Sequence, residues 1–329
     1  MNAMYSSAFD FLLTAVPADD VSADFAAEWA RHRARSHDFA SSVDRAAIAG
    51  FDSASTGLAF LGGYQEALHA LVPSLDSAEL SSMCATEAAG ARPSTMTTAV
   101  AADGVVSGTK SFATLGTFAD RFLVIARSGT RSDGKPLLRA VLVRAGASVA
   151  VTPLPPLPFA PEIPHAGVTF DASPGELLPG DGYTDYLKPF RTVEDLHVVA
   201  AVLGQLVRVA RLAQWPAESV EQLLALFAAV RGVSAEDPTS PGVHIALGGL
   251  FDRLAALRTE LEPLWAPVDP EIRQRWERDV PLLGVAGKVR AARLATAWRT
   301  VGQSSAPGEG AETALVEVVD GERAVGEPR

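Results

Sequence analysis

Cysteine is almost absent: Cys84 is the single one in 329 residues. A lone thiol excludes an internal disulfide framework and suits a reducing compartment. Flanked by apolar and small residues, with no nearby histidine in the sequence, it reads as a buried, inert thiol. Lysine is scarce as well. Lys110, Lys135, Lys188 and Lys288 stand apart with no basic tract, and 28 Lys and Arg face 39 Asp and Glu, for a formal net charge of −11. That balance argues against nucleic-acid binding, because phosphate contacts are made by clustered cations and excess carboxylate repels the backbone. No uncharged run approaches the roughly 18 residues that span a bilayer, and no charged-apolar-small leader opens the chain. The expected location is cytoplasmic. The six histidines show no metal-ligand spacing, and neither a Gly-x-Gly-x-x-Gly fingerprint nor a Walker-type loop occurs, so nucleotide binding has no support from those motifs.

Apolar residues make up 48% of the chain, enough for a sizeable core. Their periodicity changes twice. Residues 1–80 read as helical: Phe25, Trp29, His32, Arg33 and Ser36 keep helical spacing behind a capping Ser22, and 63–71 continue in a short helix ended by Pro73. Residues 81–184 turn to period two and β-branched runs, with strands expected at 95–101, 121–126, 137–143, 148–152 and 167–170. Asp103-Gly104, Asp133-Gly134 and the proline-rich 153–164 segment separate them. A small antiparallel barrel or sandwich is the natural packing for such strands. Residues 185–303 are helical again. Leu196, Val199, Leu203, Leu206 and Ala210 form one stripe that Val198, Val202 and Val209 extend, so this helix is apolar around most of its circumference and belongs at the centre of a bundle. Leu247, Leu250, Leu254, Leu257, Leu261 and Leu264 repeat the spacing, and 288–301 supply a further helix, giving a bundle of about four. Residues 304–329, rich in Gly, Glu, Ala and Pro with no aromatic, are expected to be disordered. The fold class is therefore α+β multidomain: N-terminal helices, a middle β-domain and a C-terminal helical bundle.

The most informative segment is Met83-Cys84-Ala85-Thr86-Glu87-Ala88-Ala89-Gly90, followed by Thr97-Thr98-Ala99 and Gly108-Thr109-Lys110-Ser111-Phe112-Ala113-Thr114-Leu115-Gly116. A Thr-Glu step opens a small-residue loop, a strand alternates through Thr95, Thr97 and Ala99, and a Gly-Thr-Lys turn leads to an aromatic-x-Thr strand end. This run, with Asp120-Arg121-Phe122-Leu123-Val124-Ile125-Ala126-Arg127 behind it, resembles the flavin-cradling β-domain of the acyl-CoA dehydrogenases. The order of helices, β-domain and bundle matches that family too. The resemblance implies FAD as cofactor, with Ala85, Thr86, Phe112, Ala113 and Thr114 at flavin-contacting positions. A flat apolar ring with polar edges needs backbone N–H groups, one or two hydroxyls and an aromatic or small wall. Thr86 and Thr114 also fit as ordinary strand-end hydroxyls, and Phe112 as a core aromatic.

Three departures from the family pattern stand out. Where the family has Gly-Ser-Asp, with its serine near the cofactor pyrophosphate, this chain has Ala91-Arg92-Pro93. Arg92 either grips phosphate through its fork or is a solvated surface arginine. The family's Arg-x-x-Phe-Gly element, which reaches a neighbouring subunit's cofactor, is reduced to Val230-Arg231-Gly232-Val233 before Glu236-Asp237-Pro238. Finally, no closing helices with a Gly-Gly step and a catalytic glutamate follow Gln303. The family chemistry removes an α-proton while a hydride leaves the β-carbon, and it needs a carboxylate raised toward neutrality in a dry pocket. In the isovaleryl and long-chain branches of the family that base lies on the first bundle helix, ten residues ahead of a glycine; counting back from Gly204 gives Glu194. An acidic residue favoured by a helix start and paired with Arg191 is the plainer reading of the same position.

Two functions follow. The first is an FAD-dependent oxidoreductase that dehydrogenates an acyl thioester and passes electrons to a partner, as a homo-oligomer through its bundle. The alternative is a non-catalytic relative that has lost tight flavin binding and serves as a binding or assembly subunit.

Overall fold

The structure is a computed structural model in which residues 5–17, 25–36 and 38–302 are described. Ser22 and 304–329 lie outside them. Among the described residues four helices open the fold: α1 (Ala8–Thr14), α2 (Phe25–Ser36), α3 (Ser42–Phe51) and α4 (Thr56–Leu71). Ser7 caps α1 by accepting the Asp10 N–H, and Ser55 caps α4 by accepting that of Leu58. The cap moves the start of α4 forward to Thr56, ahead of the expected Gly63. Eight strands follow: β1 (Ser81–Cys84), β2 (Ala99–Val100), β3 (Val106–Thr114), β4 (Arg121–Thr130), β5 (Pro136–Arg144), β6 (Val149–Pro153), β7 (His165–Ser173) and β8 (Gly175–Leu177).

They form one curled sheet in the order β6-β7-β3-β2-β4-β5-β8, with β1 also on β4. Neighbours are antiparallel except that β1 and β2 run parallel to β4. One face of the sheet packs on itself through Cys84, Val106, Phe122, Val124, Val141 and Phe170. The other, with Met83, Leu123, Ile125, Ala140 and Leu142, packs on Leu61, Tyr64 and Leu68 of α4.

Two local expectations are corrected. The strand expected at 95–101 shrinks to Ala99–Val100, because Pro93 opens a 3₁₀ turn over Pro93–Thr95 and the Glu87 carboxylate takes the N–H groups of Thr97 and Thr98. Gly108-Thr109-Lys110 is no turn but lies within β3. Gly108, at φ +136, sits where the β3–β7 register slips, and a Cβ there would come within 2.7 Å of the Thr98 Cα.

A π-helical turn over Gly182–Leu187 leads into α5 (Lys188–Leu212), followed by α6 (Ala217–Ser234), α7 (Pro241–Leu261), α8 (Pro270–Asp279) and α9 (Gly287–Thr300). The expected α5 stripe and the Leu247 to Leu261 stripe enter one core, together with Phe11 of α1 and Ile48 of α3. Helix α5 passes α3 backbone against backbone. A Cβ on Gly204 would stand 1.9 Å from the Ala47 carbonyl oxygen, and one on Gly50 1.7 Å from that of Ala201. Two carboxylates fasten the last helices. Asp279 accepts the Ala160 N–H at 2.8 Å and the Gly57 N–H at 3.3 Å, tying α8 to the proline-rich loop and the start of α4. Asp195 accepts from Arg290 at 2.9 Å and from Arg293, tying α9 to α5.

A Gly204→Ala substitution is expected to force the α3–α5 crossing apart and to destabilise the protein by at least the roughly 1–3 kcal/mol typical of overpacked cores. Gly249→Ala, on α7 with nothing within 4 Å of the added Cβ, is expected to be neutral or to stabilise by up to about 1 kcal/mol. Urea unfolding midpoints of the two variants check this.

Candidate functional site

Strand β1 delivers the chain to Ala85 and Thr86, where Thr86 bridges antiparallel to Phe112 and its carbonyl accepts the Ser111 N–H at 2.9 Å. Two residues further along β3, Thr114 pairs directly with His165 of β7. Cross-strand partners share a face of a sheet. The Phe112 ring confirms the arrangement by stacking on that of His165, centroids 4.4 Å apart at 28°. Thr86, Phe112, Thr114 and His165 thus form one partly open patch. Ala85 and Ala113 are buried, Ala113 on the opposite face with Cys84 and Phe122, so these two offer backbone groups only. Arg92 is exposed on the loop that precedes the Pro93–Thr95 turn.

The patch rests on an ion pair that the sequence did not announce. Lys110, fully buried, donates to Glu87 at 2.8 Å, and the same carboxylate accepts from the Thr97 hydroxyl at 2.6 Å and from the Thr97 and Thr98 N–H groups at 2.8 and 3.0 Å. Burial by itself would raise Glu87, but these donors hold it at about 2. Burial pulls Lys110 below its usual range against the opposing pull of Glu87. The loop of 87–98 is thereby clamped onto β3.

Glu194 lies on α5 one turn after Phe190, whose ring meets that of Tyr64 edge-on at 5.9 Å. Burial lifts the Glu194 carboxyl to about 8; Asp195 adds to the rise, and Arg191 and Arg293 oppose it. Burial and the nearby Glu194 push the Tyr64 phenol above its ordinary range. The Tyr64 oxygen accepts the Met83 N–H at 2.8 Å and has the Ser82 hydroxyl within hydrogen-bonding reach, while Ser82 donates to the Thr114 carbonyl at 2.6 Å. Tyr64 and Ser82 therefore connect the helix bearing Glu194 to the strand bearing Thr114. His165 is the residue of the patch that sequence reasoning missed; its one signal was its place at the end of the proline-rich run. Burial holds its ring near 4, so it is neutral at ordinary pH.

Two interhelical clefts lie elsewhere. One of about 480 Å³ runs between α6 and α7 past Ala225, Ala229, Gly249 and Arg253, and one of about 250 Å³ lies between α7 and α9 by Phe251, Arg290 and Leu294. Neither is lined by Thr86, Phe112 or Glu194. Among the described residues no group of His, Cys, Asp and Glu is arranged to hold a metal, and no helix is long and apolar enough to cross a membrane.

No protein-family model matches the sequence, and no curated protein matches it. Solved structures do. Butyryl-CoA dehydrogenase from Megasphaera elsdenii is 17% identical with a TM-score of 0.59, over 78% of this chain and 82% of that one. FMN-bound TdsC from Paenibacillus sp. A11-2 is 17% identical with a TM-score of 0.61, over 81% and 85%. The apo form of PigA, 13% identical with a TM-score of 0.62, is matched over 90% of this chain and 96% of its own. The fold is acyl-CoA dehydrogenase-like. In this acyl-CoA dehydrogenase-like chain, identities so low speak for the arrangement of elements, and the side chains must speak for the chemistry.

The raised Glu194 carboxyl has a consequence that needs no ligand. Its folded value of about 8 lies above the ordinary 4.5, so proton binding favours the folded state. Its contribution to stability is complete below about 4.5 and is lost as pH rises through about 8. Glu194→Gln removes that loss. The variant is expected to melt with wild type at about pH 4 and above it at about pH 9, as read by calorimetry.

Proposed function

We propose that this chain is a flavin-dependent oxidoreductase that dehydrogenates an acyl thioester at its α,β bond. The observation that carries the reading is Glu194: a carboxyl raised by burial to about 8, on a helix joined through Tyr64 and Ser82 to the strand of Thr114. The patch of Thr86, Phe112, Thr114 and His165 suits a flavin ring, since it combines two hydroxyls, an aromatic wall and a buried ring nitrogen without a partner. The structural neighbours include an FMN-bound protein and an FAD complex, in keeping with such a ring. A bound flavin supplies the hydride acceptor. Ala85 and Ala113 offer backbone groups to the ring, Thr86 and Thr114 their hydroxyls, and Phe112 its face. Arg92 reaches for the phosphates of FAD. Glu194 takes the α-proton, helped by a pKa close to the working pH. Residues 81–184 form the flavin-side domain between helical domains 1–80 and 185–303. A cytoplasmic homo-oligomer through the bundle, with a separate electron acceptor, completes the reading.

One observation favours the alternative of a non-catalytic binding or assembly subunit. Arg231, the remnant of the element that reaches a neighbour's cofactor in the family, is spent inside this chain on Asp44 at 2.7 and 3.1 Å and over the Phe9 ring. The dinucleotide tail then has fewer grips. Titration with FAD and with FMN, followed by anaerobic mixing with acyl-CoA thioesters, tests both readings. Wild type is expected to bind flavin and to bleach near about 450 nm. Glu194→Gln is expected to bind flavin unchanged and to slow bleaching by roughly 10²–10⁴-fold, the usual contribution of a positioned base. Flavin-loaded wild type that no acyl-CoA reduces would shift the conclusion to the non-catalytic subunit.

A further inference from the structure

We infer that His165 is a ligand-contacting residue of the Thr86, Phe112 and Thr114 patch, its Nδ1 hydrogen-bonding the polar edge of a planar heteroaromatic ring bound there. The inference rests on the flavin reading above and adds a contact that the sequence motif does not contain.

Burial and bonding point the same way. His165 is only 8% exposed, and its Nδ1 is buried without a hydrogen-bond partner. Neither of its ring nitrogens makes a hydrogen bond among the described residues. Buried polar groups in native proteins are almost always paired, and an exception asks for an explanation. The other buried histidines each keep at least one ring nitrogen bonded, although His32 Nδ1 is also buried without a partner. His197 uses both ring nitrogens, on the Val193 carbonyl at 2.7 Å and the Ser42 hydroxyl at 2.8 Å, and His32 bonds Glu66 at 3.0 Å. The His165 carbonyl accepts the Leu154 N–H at 2.9 Å, and the residue is the strand partner of Thr114, so its place in the sheet is fixed while its ring keeps hydrogen-bonding capacity. It is held in place by the stack on Phe112, the residue expected to wall the ligand.

A neutral imidazole carries one N–H and one lone pair, so it can serve either a carbonyl or a ring N–H of a pyrimidine-like edge without adding charge. The pyrimidine end of a flavin presents such groups side by side. The contact is with the ring, and it is therefore indifferent to the phosphates.

The experiment titrates riboflavin, FMN and FAD into the full chain and into His165→Phe, following flavin fluorescence and the visible band. Phenylalanine keeps the stack on Phe112 and deletes both ring nitrogens. The expected result is an unchanged circular dichroism spectrum, a melting temperature at or above wild type, and affinity for all three flavins lowered by roughly 3–10-fold, the worth of one neutral hydrogen bond. Should the variant not fold, ¹⁵N spectra of the wild-type histidines provide the second measurement. A shift of the His165 Nδ1 resonance on adding riboflavin is expected. Equal affinities for riboflavin in wild type and variant, a loss confined to FAD, or a silent Nδ1 resonance would each overturn the inference while leaving flavin binding in place. A wild type that binds none of the three flavins would overturn both.

Discussion

Backbone contact between α3 and α5 leaves no space for a side chain at Gly50 or Gly204, and almost every other feature is placed relative to that crossing. With the two backbones touching, α5 is enclosed along its length, and α4 presses on it as well: a Cβ at Gly63 would meet the His197 carbonyl at 2.9 Å. Close approach of this kind gives each helix many small dispersion contacts and fixes its rotation, since any turn about the axis would bring a side chain into the gap. The first turns of α5 are consequently held against Tyr64, and through Tyr64 against β1. A helical stripe and a strand end that are far apart in the chain become neighbours because three glycines permit it.

The same fixed geometry divides the labour between two adjacent carboxylates. Asp195 points toward α9 and collects both Arg290 and Arg293. Glu194, one residue earlier, lies near enough to Tyr64 to act on its phenol and keeps electrostatic help from Arg191 and Arg293. For Glu194 desolvation is the largest influence. Two acids that look equivalent in sequence are separated in chemistry by about a third of a helical turn.

Much of this was legible in the sequence, wherever the pattern had a period. The strands around 121–126 and 137–143 were readable as short apolar, β-branched runs bounded by turn residues, and the α7 stripe because its leucines repeat at helical spacing. Helix α3 fell inside the 1–80 stretch read as helical but was not singled out there; its Val43, Ala46, Ala47, Ile48 and Phe51 are all buried. The Gly-Thr-Lys segment read as a turn because glycine and lysine are poor strand residues; a bulge explains the glycine and a buried partner, Glu87, explains the lysine. That pairing spans a loop whose folding no local rule specifies. Of the candidate site, Thr86, Phe112 and Thr114 lie on one patch of the sheet, Glu194 was proposed by counting back from Gly204, and His165 was not singled out because its place depends on the β3–β7 register.

The register also explains how the patch of Thr86, Phe112, Thr114 and His165 is built apart from Arg92 and Arg231. The patch is built from strand pairings that the Glu87–Lys110 clamp secures, and none of those contacts involves Arg92 or Arg231. Arg231 pairs with Asp44 at 2.7 and 3.1 Å; burial keeps that carboxyl above the ordinary range, opposed chiefly by Arg231 and also by Arg45. Freeing Arg231 to reach outward would strand a desolvated carboxylate, a cost large enough to keep the pair closed. The patch of Thr86, Phe112 and Thr114 is thus built into the sheet, while Arg92 stands exposed on the loop that Glu87, Thr97 and Thr98 clamp to β3.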